Sequence, residues 1–382
     1  MRFALALTAL PAILVSAAPA DKRCTGTISS LDDVAAAQKC TTVSTTWLEY
    51  SRDKYSYMRS RKQININAFT VPAGKTFALS LLSGTTVNLQ GDVKFGVANW
   101  AGPLFSISGT NIKFNGNGQT FDGQGASYWD GQGGNGGVTK PRPMMKIKIS
   151  GTYTNVKVLN SPAHVYSISN PATLVMSKLT IDNSAGDAAN SKSGGKAAGH
   201  NTDGFDVSTT DLTIEDSTIY NQDDCIAINK GSNIIFQRNT CSGGHGISIG
   251  SISSDATVKD IQILNNKVVN NDQALRIKTK ADATNASVSN VLFSGNTATG
   301  IKKYGVIVDQ SYPSTLGTPG NNVAMSAITF GTNNIAVTSS AQRVVVNCGT
   351  KCTGNWDWSG LTVTGGKAGT VYNYKNIKAG SY

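Results

Sequence analysis

The chain has 382 residues, 40 glycines, 10 prolines and a net charge of +11 at pH 7. That length is ample for a large core, and a basic balance suits a polyanionic partner such as an acidic polysaccharide. No arginine-rich tract or aromatic-studded motif supports nucleic acid in that role, and no apolar run after the N-terminus approaches the ~20 residues that a membrane span needs.

Met1-Arg2 and the apolar stretch to Val15-Ser16-Ala17 read as a secretory signal peptide over residues 1–17. Lys22-Arg23 is a dibasic processing point, which makes 18–23 a propeptide, Cys24 the mature start and the protein extracellular. Six cysteines in that compartment suggest three disulfides. Fifteen pairings are formally open, and proximity favours Cys24–Cys40, Cys225–Cys241 and Cys348–Cys352. A metal site is the weaker alternative, because paired CxxC spacing is missing. Ser30 to Lys39 reads as a short helix, with Ser30 and Asp33 in an N-cap arrangement. Residues 44–63 are aromatic and basic and carry no strand pattern. Asn115 to Gly137, which holds Tyr128 and Trp129, and Ser184 to Gly199 are glycine-rich insertions expected to wall a cleft. Trp129 would either stack on sugar or serve as a buried cap.

From residue 202 a repeat takes over. Thr202-Asp203-Gly204-Phe205-Asp206-Val207 aligns with Asp223-Asp224-Cys225-Ile226-Ala227-Ile228 and with Gly244-His245-Gly246-Ile247-Ser248-Ile249. Phe205, Ile226 and Ile247 lie 21 residues apart, and the apolar pair of each segment alternates with polar residues. Gln273 to Lys278 and Tyr304 to Val308 fit the same frame with looser spacing, placing Leu275 and Ile277 inward and Arg276 and Lys278 outward. Second-strand patterns (Leu212-Thr213-Ile214, Ile234-Ile235-Phe236, Ile261-Gln262-Ile263, Val291-Leu292-Phe293) lie between them. Asn239, Asn266 and Asn296 recur three residues after three of these, where they can bond to one another between coils. Periods of this length with several short strands predict an all-β solenoid, a single-domain right-handed parallel β-helix over residues 24–382, with the N-terminal helix plugging its open end.

The repeat stacks Asp203, Asp224 and His245 in one column with Asp223 beside it. Carboxylates crowded together share protons, and two carboxyl groups with split pKa values are what glycosidic hydrolysis requires. His245 can hold or relay a proton, and Arg276 and Lys278 can pair with a substrate carboxylate. Asp206, Asp211 and Asp216 are expected to be solvated turn or face residues, and His164 and His200 structural or supports behind the groups that touch substrate. Asn285-Ala286-Ser287 is the single N-glycosylation sequon, placed in an inserted loop.

The segments Gly199 to Asp206, Asn221 to Cys225, Gly243 to Gly246 and Arg276 to Lys278 resemble, in order and spacing, the four signatures of the polygalacturonases. These are pectin-degrading glycoside hydrolases with a right-handed parallel β-helix, and the likeness is strongest to secreted fungal endo-acting members. It extends over nearly the whole chain from Cys24, including Thr70 to Gly74 and Trp356 to Gly360. The resemblance implies endo-hydrolysis of polygalacturonate or pectin with inversion. Asp223 would be the general acid, Asp203 and Asp224 the pair that activates water, and His245 the keeper of the acid's protonation state. Arg276 and Lys278 would grip a galacturonate carboxylate, with Asn201 and Tyr304 as further substrate contacts. It implies a monomer with neither metal nor organic cofactor. Residues 44–63 depart from the pattern, as an exposed loop or a translated intron remnant. An exo-acting enzyme, a calcium-dependent pectate lyase and a non-catalytic polysaccharide-binding β-helix are the alternatives.

Overall fold

A segment as short as Phe205-Asp206-Val207 buries two side chains and leaves its backbone groups unpaired, so it persists only with a copy stacked on either side. The structure, a computed structural model, describes residues 25–40 and 62–382. The sheet that carries the site runs β1 (Phe77–Ser80), β2 (Phe105–Asn115), β3 (Met145–Thr154), β4 (Tyr166–Ile168), β5 (Phe205–Glu215), β6 (Ile226–Gln237), β7 (Ile247–Ile252), β8 (Gln273–Lys280), β9 (Tyr304–Tyr312) and β10 (Asn333–Asn347). Each pairs in parallel with the next. Phe205, Ile226, Ile247, Leu275 and Val306 occupy one register row and are fully buried, as the spacing predicts.

The coils bend where a residue enters the left-handed region. Asp211, Asn233, Asp260 and Asn290 have φ of 56°, 55°, 57° and 52°, a conformation that Asp and Asn tolerate. Past this bend β5 and β6 continue into a second sheet with Thr257–Leu264 and Ala286–Ser294. A third is built from Thr218–Tyr220, Thr240–Ser242, Lys267–Val269 and Thr297–Ile301. Asp211 accepts a hydrogen bond from Asn233 and Asp216 pairs with Arg238, both at the surface and away from any cleft chemistry.

The asparagine turn forms the expected ladder and runs one coil further. Asn239 Nδ2 donates to Asn266 Oδ1 at 3.2 Å, Asn266 to Asn296 at 3.0 Å and Asn296 to Asn333 at 2.9 Å. Each amide also donates to a backbone carbonyl of a neighbouring coil, Ile214, Phe236 and Ile263 in turn. An amide carries both donor and acceptor, so every copy satisfies the next.

At the N-terminal end the helix is shorter than expected, Val34–Gln38 rather than Ser30 to Lys39. Ser30 does not cap it; the Asp33 carboxylate instead accepts from Ser29 N–H and the Ser30 hydroxyl, closing a turn before the helix. Ala37 is buried against Gly26, and Gln38 bonds to Ala78 and Ser80 of β1, so the helix covers the first coils as predicted. Trp356 and Trp358 are buried at the other end. Disulfides join Cys225 to Cys241 and Cys348 to Cys352. The signal peptide, the propeptide, Cys24 of the third pair and residues 44–61 lie outside the described residues; Gln63 already belongs to the strand Gln63–Ile66. Asn285 is exposed, as a glycan acceptor must be, but sits at a left-handed turn directly before the strand Ala286–Ser294 and donates to Asp255. Among the described residues no helix is long and apolar enough to cross a membrane.

Candidate active site

The turn that returns each coil from the third sheet to the first carries the chemistry. Asn221 builds it by donating from Nδ2 to the carbonyls of Thr202, Asp223 and Asp224 at 2.9–3.0 Å. The next coil closes onto it through glycine, since a Cβ at Gly244 would lie 2.0 Å from the Asp223 carbonyl oxygen. His245 N–H then donates to that same carbonyl.

Asp223, Asp224 and His245 converge, with one ligand atom of each lying within 4.8 Å of the others. His245 Nδ1 and Asp223 Oδ1 are 2.9 Å apart. Asp223 Oδ1 also accepts from Asp224 N–H at 2.8 Å, and Oδ2 from Asn201 Nδ2 at 2.9 Å. Asp224 is 1% exposed at its side chain and has both oxygens engaged. Oδ1 takes the Ser248 hydroxyl at 2.8 Å and Arg276 Nη2, and Oδ2 takes Lys278 Nζ at 2.7 Å. Arg276 and Lys278 thus stand beside the acid column and are paired with Asp224, and the carboxyls themselves are buried in the turn. Lys278 also lies 5.3 Å from the Tyr312 ring centroid, a contact that sequence reading missed, as it missed Ser248.

Asp203 completes the group from one coil below, buried, with Oδ1 lacking a hydrogen-bond partner and 3.6 Å from His164 Nε2. His164 Nδ1 lies 3.7 Å from Asp206 Oδ2. Asp206 was expected to be a solvated face residue and His164 structural or a support behind the site; the parallel register brings both to the cluster, because Asp206 stands in the row of Arg276 and His164 precedes the strand next to it. Tyr304 stands opposite Gln273 at the start of β9, two coils beyond His245. Asp272 approaches His245 Nε2 at 3.8 Å and is paired with Lys303 at 2.8 Å. His245, Asp272, Gln222, Asp187 and Lys302 line a cleft of about 460 Å³.

Crowding splits the carboxyls. Burial pushes Asp203 well above the usual carboxylate range, and the charges of Asp223, Asp206 and Asp224 add to it. Asp206 is pushed up to about 7, first by burial and then by Asp224 and Asp223. Asp223 moves the other way: burial would raise it, but the His245 hydrogen bond and charge, with Lys278, outweigh that and hold it low. Burial would likewise lower His245, yet the Asp223 hydrogen bond and charge carry it above its ordinary value. His164 is lowered by burial and by Arg142.

The inserted loops do approach the site. Asp130 and Lys140 form a buried ion pair at 2.9 Å, and the carboxylate also accepts from the Gln132 and Val138 N–H groups. The loop so folded donates Gly134 N–H to Asn201 Oδ1 at 3.1 Å, which turns the Asn201 amino group toward Asp223. Asn135 Nδ2 lies 3.3 Å from His200 Nε2. Trp129 is buried and donates to the Ser161 carbonyl, so it braces the loop and is not a sugar platform. Asp223, Asp224 and His245 have the donor types of a cation site. Asp224, however, already faces two protein cations, which compete with a metal ion for its oxygens.

Residues 61–381 match the glycosyl hydrolases family 28. The chain belongs to that family. It is 44% identical over 357 residues to endopolygalacturonase B of Aspergillus oryzae, covering 91% of this chain and 93% of that protein. It is 46% identical over 316 residues to an endo-polygalacturonase of Sclerotinia sclerotiorum, covering 80% of each. The fold superposes on endopolygalacturonase I of Stereum purpureum, solved with two galacturonates, with a TM-score of 0.84, 45% identity and coverage of 93% of this chain and 99% of that one. As in other family 28 chains of these names, the right-handed parallel β-helix supplies the scaffold.

Proposed function

We propose that this family 28 chain hydrolyses internal α-1,4-galacturonosyl bonds of polygalacturonate, with Asp223 as acid and with Asp203 and Asp224 positioning the attacking water. The observation that carries the reading is geometric: Asp223 and Asp224 converge with His245, and Arg276 and Lys278 stand at Asp224 where an anionic ring can be received. In this proposal one proton is exchanged across the 2.9 Å contact between His245 Nδ1 and Asp223 Oδ1. Held by the imidazole, it leaves Asp223 a carboxylate; moved along the hydrogen bond, it makes Asp223 the acid that protonates the leaving oxygen. Asn201 and the Asp224 N–H keep the carboxyl plane fixed during that transfer.

Asp224, neutralised by Arg276 and Lys278, is a poor nucleophile and a good anchor for water, which favours single displacement with inversion. The configuration of the released anomer is itself a test of that step. A substrate carboxylate arriving at Arg276 and Lys278 would share these cations with Asp224. Secretion belongs to the same proposal, supported by the apolar N-terminus and by the two disulfides, which persist in oxidising compartments. So does action as a monomer: the helix and the buried tryptophans cover the two ends of the core without a second copy.

The deciding experiment incubates the purified protein with polygalacturonate and a chelator and follows products by mass spectrometry and the new anomers by proton NMR. Saturated oligomers of mixed length appearing early, with inverted configuration, are expected. Monomer alone would mean exo action, unsaturated products elimination, and retained configuration a covalent route through Asp224.

A further inference from the structure

Met145-Lys146-Ile147-Lys148 repeats the pattern of Leu275-Arg276-Ile277-Lys278, with apolar residues inward and bases outward at alternate positions. The parallel register places the two pairs on one face of one sheet. Lys146 pairs with Ser167, Ser167 with Asp206, Asp206 with Ala227, Ala227 with Ser248 and Ser248 with Arg276. At ~4.8 Å per strand, Lys146 stands roughly 24 Å from Arg276 and roughly 14 Å from β6, the strand that Asp223 and Asp224 introduce.

The surroundings of the two pairs differ. Arg276 and Lys278 are nearly buried and committed to Asp224. Lys146 is half-buried and Lys148 exposed, and neither meets a carboxylate among the described residues. Their lateral neighbours are hydroxyls: Ser106 and Ser167 flank Lys146, and Ser108 lies beside Lys148. Two uncompensated ammonium groups in the interior of a sheet, ringed by serines and in line with the acid column, form a surface suited to an anionic, hydroxylated polymer.

We infer that Lys146 and Lys148 form a second anion site on the sheet face they share with Arg276 and Lys278, which takes the carboxylate of a uronate ring several rings from the bond being cut. The inference rests on the proposed substrate and deepens it: the chain would discriminate by length and by free charge at that distant ring. Methyl esterification there would remove the charge the lysines read, while the ring at Arg276 and Lys278 stayed unchanged.

The test replaces both lysines with the residue of their neighbours, Lys146→Ser with Lys148→Ser, and compares oligogalacturonates long enough to reach β3 with trimers. The ratio of kcat/KM on long over short substrates should fall roughly tenfold, the scale of two exposed charge contacts. The difference should shrink at high salt, and Lys146→Arg with Lys148→Arg should restore the ratio. Calorimetric binding of the long oligomer to the same variants in an Asp223→Asn background reads the site without turnover. A wild type that binds in this lysine-dependent way but does not cut would remove the proposed reaction and leave this site standing. Equal losses on long and short oligomers, or an unchanged ratio with unchanged binding, would overturn the inference.

Discussion

The asparagine turn and the acid turn are the same device filled with different chemistry. Both stack one polar position over successive coils: Asn239, Asn266, Asn296 and Asn333 on one edge, Asp203, Asp224 and His245 on the other. An amide both donates and accepts, so the first stack closes on itself. A carboxylate only accepts, so the second cannot. It is resolved by shared protons at Asp203 and Asp206 and by recruited cations at His245, Arg276 and Lys278. A solenoid thus turns one repeated position into structure when its members satisfy each other and into reactivity when they do not.

The largest effect should come from the acid column. Asp223→Asn keeps the size of the side chain and removes the transferable proton, so turnover of polygalacturonate should drop by about 10²- to 10⁴-fold. The coil should stay intact, because Asn221 and not Asp223 builds the turn. Full activity with an unchanged melting curve would overturn the acid assignment. On the amide side, Asn266→Ala breaks the ladder in its middle. It strands the Phe236 carbonyl and the Asn239 N–H, takes the ladder acceptor from Asn239 Nδ2, and leaves Asn296 Oδ1 only the backbone N–H of residue 266. Chemical denaturation should show a loss of roughly 3 kcal/mol, with turnover per folded molecule unchanged. A loss in turnover at full stability would mean that the two stacks are not separable.

The two stacks were also unequally legible. Alternation and 21-residue spacing sufficed for the strands, because register in a parallel coil is set by which residues must be buried. Asn239, Asn266 and Asn296 were visible because identical residues recur; Asn333 was not, because a longer insertion precedes it. In the acid column, residue types identified Asp203, Asp223, Asp224 and His245 as a group. Their burial was not visible, since the groups that cover them, Ser248, Arg276 and Lys278 at Asp224 and His245 and Asn201 at Asp223, come from other coils. Asp206 and His164 were set aside for a related reason. A solvated face position and a cleft position have the same alternation, and only the neighbouring strands and loops distinguish them. The pairing of Arg276 and Lys278 with Asp224 is likewise a contact across three coils that no local spacing encodes.

The smallest effect expected is a shift in one titration, and it separates the stacks most cleanly. The chain has three histidines, which makes them resolvable by NMR. In the wild type the Asp223 hydrogen bond and charge raise His245 against the opposing effect of burial. Asp223→Asn removes both of Asp223's raising contributions and leaves only the charge of Asp224, so His245 should titrate at lower pH in that variant, and Asn266→Ala should leave it where it was. Linkage fixes the accompanying stability change. A raised histidine contributes stability that is complete below its unfolded value of ~6.5 and is lost as pH rises through the folded value. The wild type should therefore lose stability across that window, and Asp223→Asn should lose less over the same range. If His245 titrates identically in both proteins, the proton does not lie between Asp223 and His245, and the acid must draw it from another neighbour, with Asp203 the first to examine.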